Sequence, residues 1–184
     1  MIKLLGLCGS LRKESFNRML LYEAIKISKK CKFEEIELEL PLYNSDIQNN
    51  GFPEKVKNLS ESILNCDGII IVSPEYNKGV SGVLKNALDW TSRINRDLWK
   101  EKPVVIMSVA SGRSGGETGQ FMLRSCMIPL GARVVSKPIL CVANGSEQFD
   151  ENRKLISQRY KNSLRELMEN LFFEINLYKN KSKF

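Results

Sequence analysis

Short apolar runs alternate along this chain with longer stretches whose apolar residues recur at helical spacing. Ile2 to Cys8 is an apolar run that stops at Gly9-Ser10, and it predicts a buried strand. The stretch from Asn17 to Lys30 carries Met19, Leu20, Ala24 and Ile27 near helical spacing, with Ser15 or Asn17 available as its cap. From Phe33 to Leu40 the pattern switches to period two, with one slip, and predicts a second strand. Pro41 to Pro53 reads as loop, and Pro53 then opens a helix that sets Val56, Leu59, Ile63 and Leu64 on one face. Gly68 to Ser73 is a continuous β-branched run, as in a central parallel strand. A helix over 82–94, a buried strand over 103–110 and a helix with a glycine-rich start over 116–130 follow. The pattern closes with a strand over 133–142, interrupted by Pro138, and a long helix over 151–175.

Five strand-then-helix repetitions predict one α/β domain, a doubly wound parallel sheet of about five strands covered on both faces. Residues 1–176 are expected to form this domain and residues 177–184 a basic C-terminal tail. In such sheets ligands bind beyond the carboxyl ends of the strands. The loops that follow the strands therefore carry the functional question.

Composition narrows it. With 42% hydrophobic and 27% charged residues the chain is of the globular class, and 184 residues can bury a core without disulfides. No apolar run approaches a membrane span or a signal segment, so a cytoplasmic protein with no membrane partner is expected. The five cysteines are odd in number and widely spaced, as in a reducing compartment. There is no histidine, which excludes Ser-His-Asp and Cys-His catalysis and any His-ligated metal. A net charge of +7 raises nucleic acid as a partner, but no helix-turn-helix or basic-aromatic pattern supports it, and a basic surface equally attracts anionic cofactors.

Three loops stand out. The first, Gly9 to Asn17, opens a helix and is rich in donors: Ser10, Arg12, Ser15 and Asn17. Free N–H groups at a helix start favour an anion, and an arginine adds a bidentate fork. Neither a Walker A spacing nor a dinucleotide fingerprint is present, so a mononucleotide phosphate fits better. The second, Pro74 to Gly82, combines a rigid exit at Pro74, an orienting or accepting Glu75, the flat Tyr76, and Asn77, Gly79 and Gly82 as positions that permit positive φ. The third, Ser111 to Gly119, holds four glycines in nine residues. Ser111, Ser114 and the amides of Gly112 to Gly116 can bond a heterocycle's edge, and Arg113 can stabilise negative charge on it. A phosphate site at one end and a bed for a flat ring at the other describe the shape of FMN.

The paired motifs "GSLRKESFN" and "SPEYNKGVSGVLKNALDW" resemble those of the NADPH-dependent FMN reductase family, which includes chromate, quinone and azo-dye reductases. The resemblance runs from Ile2 to about Val142. It implies a flavodoxin-like sheet of order 2-1-3-4-5. It implies FMN as cofactor, with NADPH or NADH as reductant and a small-molecule acceptor: flavin, quinone, chromate or azo compound. It places Ser10, Arg12, Ser15 and Asn17 on the FMN phosphate. Pro74, Glu75, Tyr76, Asn77 and Gly79 would lie along the isoalloxazine, and Ser111, Gly112, Arg113, Gly115 and Gly116 beyond it. A homodimer or homotetramer through the helix "LKNALDW" is also implied, with Lys85 and Trp90 near the interface. The family's frequent S-I-P-G reads Gly79-Val80-Ser81-Gly82 here. Hydride transfer requires no side-chain base, so no catalytic acid or base is assigned. The rival reading is an electron-carrier flavodoxin; such carriers are usually acidic, and this chain is basic. Arg12, Lys78 and Arg113 are all candidate contacts for a coenzyme 2′-phosphate.

Overall fold

The computed structural model describes residues 1–28 and 31–181. The strands are β1 (Ile2–Cys8), β2 (Cys31–Ile36), β3 (Gly68–Val72), β4 (Glu75–Tyr76), β5 (Gly79–Val80), β6 (Pro103–Val109), β7 (Arg133–Val134) and β8 (Leu140–Val142). The α-helices are α1 (Phe16–Ile27), α2 (Ser45–Asn49), α3 (Glu54–Asn65), α4 (Gly82–Ile94), α5 (Glu117–Met127) and α6 (Gln158–Lys181). The main sheet runs β2-β1-β3-β6, with β7 and β8 both on the outer side of β6, and all its pairings are parallel.

This is the expected flavodoxin-like order, with one correction: the sheet has six strands, not five. The fifth position is split. β7 pairs with the start of β6 and β8 with its end, while residues 136–139 leave the ladder around Pro138, which has no N–H to give. The second strand ends at Ile36, four residues early, although Leu38 is still buried beneath the loop that follows. The long loop before α3 contains the short helix α2, capped by the Asn44 side chain. The last helix begins at Gln158 rather than Glu151 and continues through Lys181, past Leu177 where a tail was expected. Lys179 within it pairs with Asp67 at 2.9 Å. Residues 182–184 lie outside the described residues, as do Lys29 and Lys30 at the predicted end of the first helix.

The period-two pleat of the strands divides the core. Leu4, Cys8, Ile70, Val72, Val105 and Met107 pack toward α1 and α6. Leu5, Leu7, Ile69, Ile71, Val104 and Ile106 pack toward α3, α4 and α5. β3 is buried along its whole length, which is why it reads as an unbroken apolar run. Trp90 is correctly apolar but not at a surface. It is 0% exposed, donates from its indole to the Pro41 carbonyl at 2.7 Å and meets the Tyr43 ring edge-on at 5.0 Å. Lys85 lies on the solvent side of α4, paired with Asp89.

Parallel β1 and β3 end level with each other, and β6 runs two residues further. Gly9 N–H bonds to the Val72 carbonyl and Ser73 N–H to the Met107 carbonyl. The three loops singled out in the sequence therefore leave the sheet side by side.

Candidate functional site

The first loop is pinned before it reaches α1. A Cβ on Gly9 would stand 2.7 Å from the Ser73 hydroxyl and 2.8 Å from that of Ser81, so only glycine lets the first loop lie against the second. Ser15 caps α1, its hydroxyl accepting from Arg18 N–H. Ser10 and Ser15 are both nearly buried, at 3% and 4% exposure, whereas Arg12 is exposed and has no ion pair among the described residues. No acidic residue stands in the first turn of α1. Two hydroxyls, one unpaired guanidinium and the free N–H groups of a helix start make a donor set for a phosphate.

Asn17 has a further role that its place in the sequence does not announce. Its side chain is engaged with the backbone of β6: it donates to the Val109 carbonyl at 3.0 Å and accepts from Val109 N–H at 2.9 Å. Both amide ends are used across 92 residues of sequence. Asn17 locks the phosphate loop to the end of β6.

The second loop is a two-residue hairpin, β4 to β5. Its positive φ values fall at Asn77 (50°), one of the three expected positions, and at Lys78 (63°), but not at Gly79 or Gly82. Two successive positive φ values make a type I′ turn, whose twist suits a tight hairpin, so the strand pairing dictates the conformation of Lys78 over its own preference. Glu75 holds this hairpin to α5: its carboxylate accepts from Gly119 N–H at 2.8 Å, near the positive end of the helix, and lies 3.5 Å from the Lys78 ammonium. The Glu75 carboxylate is thus engaged by its own chain, in keeping with the orienting part expected of it. Tyr76, half exposed, borders the open side.

The third loop folds back on the sheet. Gly115 has φ +62°, and a Cβ there would stand 2.6 Å from the Cys141 carbonyl carbon. Its close approach is to β8. The Gly115 carbonyl accepts from the Ser108 hydroxyl at 2.6 Å, and the Gln120 amide donates to Ser108 at 2.8 Å and to the Leu140 carbonyl at 2.7 Å. Gly116 sits at the start of α5 and is buried, while Ser111, Gly112 and Arg113 are exposed.

Together the loops enclose a cleft of about 170 Å³. It is lined by Ser10, Arg12, Ser15 and Asn17, by Pro74, Glu75 and Tyr76, and by Ser111. Asn77, Gly79, Gly112, Arg113, Gly115 and Gly116 do not line it. Phe16, Val109 and Ala110 do, and sequence reading missed them. Phe16 stacks on Phe149 at 5.7 Å, a contact no local pattern announces. Ser108 did leave a trace, as the lone polar residue inside the apolar run of β6. A larger opening of about 590 Å³ between β2 and α3 is lined by Glu34, Glu35, Glu37 and Glu61, and those carboxylates repel a phosphate. The thiols do not add a nucleophile to the cleft: burial pushes Cys8 up from its usual range and Cys66 up to about 11.

The donor set fits a phosphomonoester at α1, and the Pro74–Tyr76 side fits a flat ring. Comparison with known proteins agrees. The model of the NADPH-dependent FMN reductase family matches residues 2–147. An NAD(P)H-dependent FMN reductase of Pseudomonas aeruginosa is 33% identical over 172 residues, 92% of this chain and 93% of that protein. A quinone reductase of Escherichia coli is 42% identical over 142 residues, 74% of this chain and 75% of that protein. The structure of the flavoenzyme NAD(P)H:(acceptor) oxidoreductase FerB from Paracoccus denitrificans superposes with a TM-score of 0.86 at 26% identity, covering 96% of this chain and 98% of that one. This chain belongs to the NADPH-dependent FMN reductase family: it is a flavodoxin-like oxidoreductase that uses FMN and NAD(P)H.

Proposed function

We propose that the cleft between the three loops is the FMN site of an NAD(P)H-dependent reductase whose acceptor is a small molecule of the quinone or flavin type. The observation that carries this reading is the convergence of Ser10, Arg12 and Ser15 with Pro74, Tyr76 and Ser111 around one opening at the carboxyl edge of the sheet. FMN, when bound, supplies the redox chemistry, taking hydride from NAD(P)H and passing electrons to the acceptor. The chain's own part is placement. The α1 N-terminus, Ser10 and Ser15 hold the phosphate and Arg12 closes over it. Pro74 to Asn77 border the ring, Glu75 keeps the hairpin seated on α5, and Asn17 keeps the phosphate loop seated on β6. Ser111, Gly112 and Arg113 stand on the rim beyond. The electron-carrier alternative is disfavoured by the reductase relatives, the +7 charge and the quinone reductase likeness. Residues 1–176 are read as one FMN-binding domain in the cytoplasm; the free cysteines suit that compartment.

Anaerobic NADPH added to the FMN-loaded protein is expected to bleach the flavin absorbance within seconds. Bound flavin that neither NADPH nor NADH reduces would return the reading to an electron carrier. Arg12→Ala is expected to weaken FMN binding by about 1–3 kcal/mol, the range for a lost charge-assisted hydrogen bond. Unchanged affinity in a flavin titration would remove Arg12 from the site.

The enclosed cleft is smaller than the roughly 300 Å³ at which ligand pockets begin. We read it as one wall of a site that a second subunit completes. A groove of about 610 Å³, lined by Lys85, Leu88, Asp89, Arg93 and Cys126, runs between α4 and the end of α5 and is the face proposed for a homodimer or homotetramer. Light scattering is expected to give at least a dimer mass; a clean monomer contradicts this face.

A further inference from the structure

A second groove adjoins the cleft. Its volume is about 410 Å³ and it lies along α1, sharing Ser15 with the cleft beside it. Its floor is apolar: Met19, Tyr22 and Ile25. Its rim is cationic: Lys13, Arg18, Lys26 and Arg153. No carboxylate is among the lining residues. The acids that pair with the rim stand outside it. Glu35 holds Arg18 at 2.9 Å, Glu23 holds Lys26 at 2.6 Å and Glu14 holds Arg153 at 2.8 Å. Lys13 has no ion pair among the described residues. The Tyr22 hydroxyl donates to Glu35 at 2.6 Å, which fixes the ring against the groove.

Anchored aromatic and thioether surface under a ring of cations suits one ligand chemistry: a flat heterocycle carrying phosphate. Continuity with the cleft says which end of which molecule. A nicotinamide dinucleotide whose nicotinamide reaches the flavin must rest its adenosine on protein outside the cleft. NADPH differs from NADH by the phosphate on that adenosine, and a rim with four cations to three paired acids, Lys13 being the one without an ion pair among the described residues, discriminates in its favour. We propose that the α1 groove receives the 2′-phosphoadenosine end of NADPH, with Lys13 and Arg153 on the phosphate and Tyr22 and Met19 under the adenine, and that it sets the preference for NADPH over NADH. Neither Arg12, Lys78 nor Arg113 lines this groove. The inference rests on the FMN reading of the adjoining cleft.

The test compares wild type, Lys13→Ala, Arg153→Ala and the double variant. The ratio of kcat/KM for NADPH to that for NADH is expected to fall about tenfold per substitution, carried by KM for NADPH, as each removes a charge-assisted contact. Calorimetric binding of 2′,5′-ADP to the FMN-loaded protein is expected in wild type and lost in the double variant. A wild type that uses both coenzymes equally, or a double variant that loses both in parallel or neither, overturns the proposal. So does FAD binding that exceeds FMN binding and depends on Lys13 and Arg153, since the flavin's own adenosine would then own the groove. Titration of 2′,5′-ADP into flavin-free wild type and double variant judges the groove alone. A protein that binds 2′,5′-ADP through these residues but no FMN fails the cleft reading and not the groove.

Discussion

Asn17→Ala is expected to lower the stability of the flavin-free protein by about 3 kcal/mol, because it strands two buried backbone groups at once. In the folded chain the Asn17 amide satisfies both the N–H and the carbonyl of Val109, at the point where β6 gives way to the third loop. Alanine removes both bonds and brings in no replacement. Each stranded group costs about 1–3 kcal/mol. For a chain of this length that is a fall in Tm of about 6–12 °C. Asn17→Asp is expected to lie between, since a carboxylate still accepts from Val109 N–H but faces the carbonyl with no donor. The measurement separates the two readings of this residue. A clamp lost from the scaffold shows in thermal unfolding without flavin. A donor lost from a phosphate site leaves the flavin-free protein untouched and weakens only FMN binding. A Tm change below about 2 °C with weakened FMN binding would leave Asn17 with the phosphate role alone.

Gly115→Ala is expected to cost a further stretch of the same site about 3 kcal/mol, while Gly112→Ala, three residues earlier, stays within about 0.5 kcal/mol of wild type. At Gly115 the left-handed backbone penalises any side chain by about 1–2 kcal/mol. The new Cβ also falls 2.6 Å from the Cys141 carbonyl carbon and 2.9 Å from Ala143 N. That contact is with backbone, which yields only by moving β8 or the loop, at about 1–3 kcal/mol. Moving the loop breaks the 2.6 Å bond from Ser108 as well. At Gly112 nothing lies within 4 Å of an added Cβ and φ is not left-handed. Urea midpoints of the two variants check the contrast; equal midpoints would mean that the third loop is not seated on β8.

Much of the scaffold was legible because its signals are local. The unbroken Gly68–Val72 run, the helical spacing of Val56, Leu59 and Ile63, and the alternation of elements all depend on residues a few positions apart. Pro138 announced the break in the last strand, though not that it would split it in two. Boundaries fared worse. Glu151 to Ser157 carries helix-compatible residues, yet Phe149 and Leu155 bridge there instead and α6 starts at Gln158. A local antiparallel bridge overrode helix propensity.

By itself, the sequence determined that three donor- and glycine-rich loops would gather at one edge. Each follows a strand, and parallel strands put all their carboxyl ends on the same side. Ser10, Arg12, Ser15, Pro74 and Tyr76 accordingly meet at one cleft. Only the tertiary structure decided which residues of those loops face the opening and which hold the loops to one another. Asn17 and Glu75 line the cleft and also tie their loops to Val109 and Gly119, and Gly115 ties the third loop to β8. A donor or acceptor bonds whichever partner the fold brings within about 3 Å, and a partner 92 residues away leaves no mark on the periodicity around it. The α1 groove has the same origin: Arg153 joins Lys13 only because the chain folds back across the helix.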